Sequence, residues 1–66
     1  MNVTINDITI PVPENATLLD ALEAKGISPQ GIATAVNGTV IPSASRADTK
    51  LNEGDKIVII KAFYGG

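Results

Sequence analysis

The chain ends in Gly65-Gly66, directly after its only two aromatic residues, Phe63 and Tyr64. Glycine makes up about 7% of average proteins, so a terminal glycine pair arises by chance in roughly one chain in 200. Because glycine has no β-carbon, such a tail is thin and conformationally free, and it would fit a narrow channel. The α-carboxylate of Gly66 is then a group that an enzyme could activate. The alternative is a frayed end or a remnant of cloning.

Cysteine and histidine are both absent from the sequence. The chain therefore lacks the commonest zinc ligands, the commonest general base and any thiolate nucleophile. A Ser-His-Asp or Cys-His arrangement is excluded, and the acidic residues fall at helix and turn positions where structural or solvated roles account for them. We predict no catalytic residue, no metal site and no cofactor, which leaves the terminal carboxylate as the reactive group.

Composition and charge narrow the class of protein further. The 44% apolar content is almost entirely aliphatic, and 66 residues suffice for one small domain over residues 1–66. The net charge is −2 without a basic stripe, which argues against nucleic acid as a partner. No signal-peptide pattern opens the chain, and the longest apolar run, Ile57 to Ile60, is far too short to span a membrane. We therefore expect a cytoplasmic protein without a membrane partner.

Two hairpins flank one helix in the predicted order of elements. Between Val3 and Ile10, apolar and polar residues alternate on both sides of the polar pair Asn6-Asp7. This pattern predicts two short strands joined by a tight turn. A capping-box sequence predicts a helix over roughly Thr17 to Lys25. Asn37-Gly38 is the strongest turn signal in the chain, and it predicts a second hairpin between Ala33 and Ile41.

The last predicted strand, Lys56 to Lys61, contains the continuous apolar run Ile57 to Ile60. One helix covers only one face of a sheet, so the other face of this strand is either a partner surface or covered by loops. On this strand we predict Ile59 as a partner contact. The whole pattern fits an α+β fold of the β-grasp type, with a mixed sheet of about five strands on one main helix. The last strand would lie centrally, parallel to the first.

With these elements in place, the chain resembles the ubiquitin-like sulfur carriers, and among them the ThiS family of thiamine biosynthesis. The resemblance covers essentially the whole chain and depends on motifs that are specific only in combination. These motifs are Asn6-Asp7 between two strands, the helix start at Thr17, Ala35-Val36-Asn37-Gly38 with Val40-Ile41-Pro42, Leu51-Asn52-Glu53-Gly54-Asp55, and Gly65-Gly66. Family members often carry basic and aromatic residues after the proline, where this chain has Ser43-Ala44-Ser45-Arg46.

The resemblance implies a carrier protein rather than an enzyme. A ThiF-like, ATP-dependent activating enzyme would adenylate the Gly66 carboxylate, and a sulfur donor system would turn the adenylate into a thiocarboxylate. A ThiG-like thiazole synthase would then take the sulfur. Two alternatives stay open: a sulfur carrier like the small subunit of molybdopterin synthase, and a ubiquitin-like modifier of other proteins.

The arm formed by residues 62–66 is expected to be flexible and to contact partners. Gly65 would thread a narrow channel, and Phe63 and Tyr64 would dock into apolar pockets that set the register of the tail. The alternative for Phe63 is that it folds back over the sheet edge. Fully extended, the five residues reach roughly 17 Å at about 3.4 Å per residue, enough to enter a buried active site.

Overall fold

Hairpin, helix, hairpin and final strand follow one another in the computed structural model, which describes residues 1–61. In chain order the elements are β1 (Asn2–Ile5), β2 (Ile8–Pro11), α1 (Leu18–Ala24), β3 (Ile32–Val36), β4 (Thr39–Ile41), a 3-10 helix (Ser43–Asp48) and β5 (Lys56–Lys61). This is the order that the sequence predicts. Within residues 1–61, no helix is long and apolar enough to cross a membrane.

The five strands form one mixed sheet in the order β2-β1-β5-β3-β4. β1 and β5 run parallel, and the other neighbouring strands are antiparallel. The predicted β-grasp arrangement, with the last strand central and parallel to the first, is confirmed. Because β1 and β5 run in the same direction, the turn that follows β1 lies at the end of the sheet where β5 finishes.

Both hairpins turn through left-handed backbone at two successive residues. The φ angles are 48° and 70° at Asn6-Asp7, and 50° and 85° at Asn37-Gly38. Two-residue hairpin turns with positive φ at both positions match the twist of the strands, and Asn, Asp and Gly adopt that conformation at the least cost. The second turn fixes Val36 opposite Thr39 and thereby the register of β3 with β4.

Helix α1 is closed at both ends by hydrogen bonds. The Thr17 hydroxyl accepts the Asp20 N–H at 3.2 Å, and the Asp20 carboxylate accepts the Thr17 N–H at 2.9 Å. This is the predicted capping box. At the other end Gly26 takes a φ of 75°, and the Ile27 N–H donates to the Leu22 carbonyl at 2.9 Å. The helix therefore stops at Gly26 because its last carbonyls are satisfied by a left-handed cap.

The core lies between α1 and one face of the sheet. Leu18, Ala21 and Leu22 are fully buried because their spacing of three and four residues places them on one side of α1. The complete set of buried apolar residues is Val3, Ile5, Val12, Ala16, Leu18, Ala21, Leu22, Leu51 and Ile57. The opposite face of the sheet, which we call the open face, carries no helix among the described residues.

Candidate functional site

The apolar run of β5 is divided between the two faces of the sheet. Ile57 is fully buried and Ile59 is half-buried against the core, whereas Val58 and Ile60 are 38% and 63% exposed. Successive side chains of a strand point to opposite faces, so the run supplies the core and the open face in turn. The sequence leaves two possibilities for the second face of β5, a partner surface or coverage by loops. Coverage by loops is not found within residues 1–61.

Val58 and Ile60 belong to an apolar patch that extends across three strands. Val58 lies opposite Ala35, Ala35 lies opposite Val40, and Ile60 lies opposite Ala33. Residues directly opposite each other share a face of the sheet, with their Cβ atoms about 4.5–5.5 Å apart. Val40 is 71% exposed and is the most open large apolar side chain of the set. We call these five residues the apolar sheet patch.

The apolar sheet patch lies beside the route to the C-terminus. Ile60 immediately precedes Lys61, the last residue that the structure describes, and both belong to β5. A partner that covers Ile60 therefore contacts the strand from which residues 62–66 continue. This position connects an exposed apolar surface with the segment that the sequence marks as reactive.

Only one of the predicted site residues falls within the described part of the chain. The predicted flexible arm 62–66 lies outside it, as do four predicted residues: Phe63, Tyr64, Gly65 and Gly66. Ile59 is described, and it faces the helix side of the sheet, where it packs against the core. A contact between Ile59 and a partner stays a prediction, while its neighbours Val58 and Ile60 are the residues exposed on the open face.

Arg46 holds the beginning of β3 in place, a role that no sequence pattern predicts. Its side chain is only 3% exposed, and its Nε donates to the Thr34 hydroxyl at 3.1 Å. Its two terminal nitrogens donate to the Pro29 and Ile32 carbonyls at 2.7 and 2.8 Å. The guanidinium thus ties the 3-10 helix to the loop before β3, and it steadies the strand that contributes Ala33 to the patch.

Charge contributes little to the described site. The ion pair found among residues 1–61 joins Lys56 Nζ to Asp7 Oδ1 at 4.0 Å, and both side chains are largely exposed. An exposed pair of this kind is worth little in water. Residues 1–61 enclose no pocket and hold no cluster of three His, Cys, Asp or Glu side chains that could bind a metal ion. What the described residues present to a partner is an apolar surface.

The chain matches one family model and resembles solved structures along its whole length. The ThiS family model matches residues 2–66. A crystal structure of the thiamine biosynthesis protein ThiS from Geobacter metallireducens has a TM-score of 0.80 and 25% identity, over 100% of this chain and 99% of that one. An NMR solution structure of a thiamine biosynthesis protein from the same organism has a TM-score of 0.75 and 23% identity, covering 100% and 88%, and shows a similar fold. No curated protein sequence matches the chain.

Proposed function

Because the chain belongs to the ThiS family, we propose that it is a sulfur carrier of thiamine biosynthesis in which Gly66 carries the sulfur. The observation that carries this proposal is the family match over residues 2–66, which includes the terminal Gly65-Gly66. Agreement in fold with a ThiS crystal structure over the full length of both chains supports it. In this proposal the folded domain is recognised by partners and the terminal carboxylate reacts.

The proposed cycle begins with activation of Gly66. A carboxylate is a poor electrophile because it is anionic, so an oxygen of the carboxylate first attacks ATP, forming the acyl-adenylate and releasing pyrophosphate. A persulfide sulfur then attacks the acyl carbon, and AMP leaves with the electron pair of the broken bond. A thiol reduces the resulting acyl disulfide, which leaves the thiocarboxylate on the carrier and a disulfide on the donor side. A ThiG-like thiazole synthase then accepts the sulfur.

The catalytic groups for these steps would come from the partners. The chain contains neither cysteine nor histidine, so the persulfide and any imidazole base must belong to another protein. Gly65 would let the tail pass through the channel of a ThiF-like activating enzyme, and Phe63 and Tyr64 would anchor it there. These roles follow from residue type and from position before the reacting carboxylate.

The apolar sheet patch is the proposed docking surface for the activating enzyme. β5 connects this patch with the reacting end, because it contributes Val58 and Ile60 to the patch and is the strand from which residues 62–66 continue. Exposed aliphatic side chains that are contiguous on a small soluble protein mark an interaction surface. Val40 and Ile60, at 71% and 63% exposed, have the most surface left to bury. The predicted contact Ile59 lies on the other face of β5, so on the open face we propose these two residues and Val58 as the contacts.

Intact mass measurement tests the proposed function. The carrier is incubated with ATP, a ThiF-like activating enzyme and a persulfide donor, and a control reaction omits ATP. The expected result is an ATP-dependent gain in mass equal to the replacement of one oxygen by one sulfur. No gain under any donor condition, with conjugates to other proteins instead, would refute the carrier function and favour a ubiquitin-like modifier.

A further inference from the structure

Asn6 holds the second half of β5 through its side chain. The Asn6 backbone N–H donates to the Ile57 carbonyl at 2.9 Å. The Asn6 Oδ1 accepts the Ile59 N–H at 2.9 Å, and the Asn6 Nδ2 donates to the Ile59 carbonyl at 3.3 Å. The side-chain amide therefore pairs with both the N–H and the carbonyl of Ile59.

This pairing is made where the strand next to β5 has already ended. β1 pairs with β5 only as far as Ile5 opposite Ile57. On the other side of β5, the pairing with β3 continues to Lys61. Asn6 lies in the left-handed region with a φ of 48°, so its backbone turns away from β5 while its side chain stays beside it. The Asn6 side chain thus extends the hydrogen bonding between the β1 side and β5 beyond Ile57 to Ile59, toward the C-terminus.

Asn37 makes a comparable bridge at the opposite end of the same strand. It also occupies the first position of a two-residue turn, with a φ of 50°. Its Oδ1 accepts the Lys56 N–H at 2.9 Å, and its Nδ2 donates to Asp55 Oδ1 at 2.9 Å. Lys56 is the first residue of β5, so this bridge lies at the end of the strand away from the C-terminus. The two asparagines therefore place similar chemistry at the two ends of β5.

We propose that Asn6 is a positioning residue for the reactive C-terminus, because its amide holds the part of β5 from which residues 62–66 continue. This inference rests on the proposed function. A shift of β5 at Ile59 moves the start of that segment, and enzymatic rates fall steeply when a reacting group is misplaced by about 1 Å. Asn6 lies outside the apolar sheet patch and its substitution removes none of the patch side chains, so loss of the amide is expected to affect turnover more than affinity.

The test compares Asn6→Gly with Asn37→Gly in the full chain. Glycine keeps the left-handed backbone in both turns and removes only the bridging amide, so both variants are expected to lose thermal stability to a similar extent. Thiocarboxylate formation is followed by intact mass with the activating enzyme, ATP and a persulfide donor, at a temperature where all three proteins are folded. Asn6→Gly should lower kcat about tenfold, because misplacement of the reacting group by about 1 Å is enough to slow an enzymatic step substantially, and should leave KM unchanged. Asn37→Gly should leave both constants within about twofold of wild type.

Equal kcat values for the two glycine variants would overturn the assignment, and so would a loss in Asn6→Gly that is confined to KM. Asn6→Asp keeps an acceptor for the Ile59 N–H and loses the donor to the Ile59 carbonyl, so an intermediate kcat is expected. If Asn6→Gly does not fold, Asn6→Asp is used for the test instead. A wild-type chain that gains no sulfur refutes the proposed function instead. Amide hydrogen exchange at Ile59 then decides whether Asn6 holds the strand: faster exchange in Asn6→Gly alone supports it, and equal exchange refutes it.

Discussion

Replacement of Ile60 by aspartate tests whether the apolar sheet patch is the docking surface. Ile60 is 63% exposed on the open face, so the side chain contributes little to the core and the variant should fold. Strand propensity spans only about 1 kcal/mol between residue types, which limits the loss of stability from the change itself. The thermal midpoint is therefore expected to fall only slightly, while recognition by the activating enzyme is lost.

The size of the effect follows from the surface that Ile60 still has to bury. Complete burial of an isoleucine side chain contributes about 1.5–3 kcal/mol, so the exposed 63% of Ile60 corresponds to about 1–2 kcal/mol. Desolvation of a neutral polar group against an apolar partner costs about 1–3 kcal/mol, and this range is a lower bound for a carboxylate. Together these terms predict that Kd rises by at least about thirtyfold, since each 1.4 kcal/mol is a factor of ten.

Ile8→Asp is the matched control for this experiment. Ile8 is 53% exposed and lies on β2 opposite Ile5, so it undergoes the same chemical change outside the apolar sheet patch. Binding of the activating enzyme is measured by isothermal titration calorimetry, and KM for the carrier by ATP–pyrophosphate exchange. A Kd for Ile60→Asp within about twofold of wild type, or an equal loss for Ile8→Asp, would refute docking through the open face.

Two further variants separate the chemistry of the tail from the stability of the domain. Gly65→Val should abolish adenylation without moving the thermal midpoint, because a β-branched side chain blocks passage through a narrow channel; normal adenylation would contradict threading. Arg46→Ala should lower the free energy of unfolding by about 2–4 kcal/mol, since it leaves the buried Thr34 hydroxyl and the partly buried Pro29 and Ile32 carbonyls without their donor. Urea denaturation measures this loss, and a decrease below about 1 kcal/mol would show that water or neighbouring groups replace the guanidinium.

The elements of the fold could be predicted because their signals are local. The Asn37-Gly38 turn determines its hairpin through the φ angles of two residues, and the capping box determines where the helix begins through the short segment from Thr17 to Asp20. The parallel pairing of β1 and β5 follows from a helical crossover between them. The turn and the capping box depend on short segments whose neighbours in space are also neighbours in sequence, whereas the β1–β5 pairing joins distant strands and follows from the order of the elements.

The division of β5 between core and surface could not be predicted in the same way. Side chains alternate between the two faces of a strand, so Ile57 shares one face with Ile59, and Val58 shares the other with Ile60. Because all four residues are apolar, the sequence does not indicate which pair faces the helix. That choice depends on the register with β1 and β3. Val40 could have been predicted to lie beside Ala35 on the same face of the sheet, because a two-residue turn at Asn37-Gly38 fixes its position opposite Ala35.

The burial of Arg46 has a different origin. An arginine in a polar loop is usually solvated, and its three acceptors on the loop before β3 and on β3 lie 12 to 17 positions away in sequence. The side chain becomes buried because it reaches from the 3-10 helix to these acceptors at the beginning of β3. Sequence periodicity contains no information about that contact, since neither segment has a repeating pattern.

The central position of β5 allows one strand to serve both the core and the terminus. Ile57 packs among the buried residues, while Ile60 is exposed two strands in from either edge of the sheet. The backbone of β5 is held by β3 as far as Lys61 and, on the other side, by the side-chain amide of Asn6. An edge strand would lack one of these two supports. The same placement makes the roles separable, because a change at Ile57 should act on stability, whereas a change at Ile60 should act on recognition.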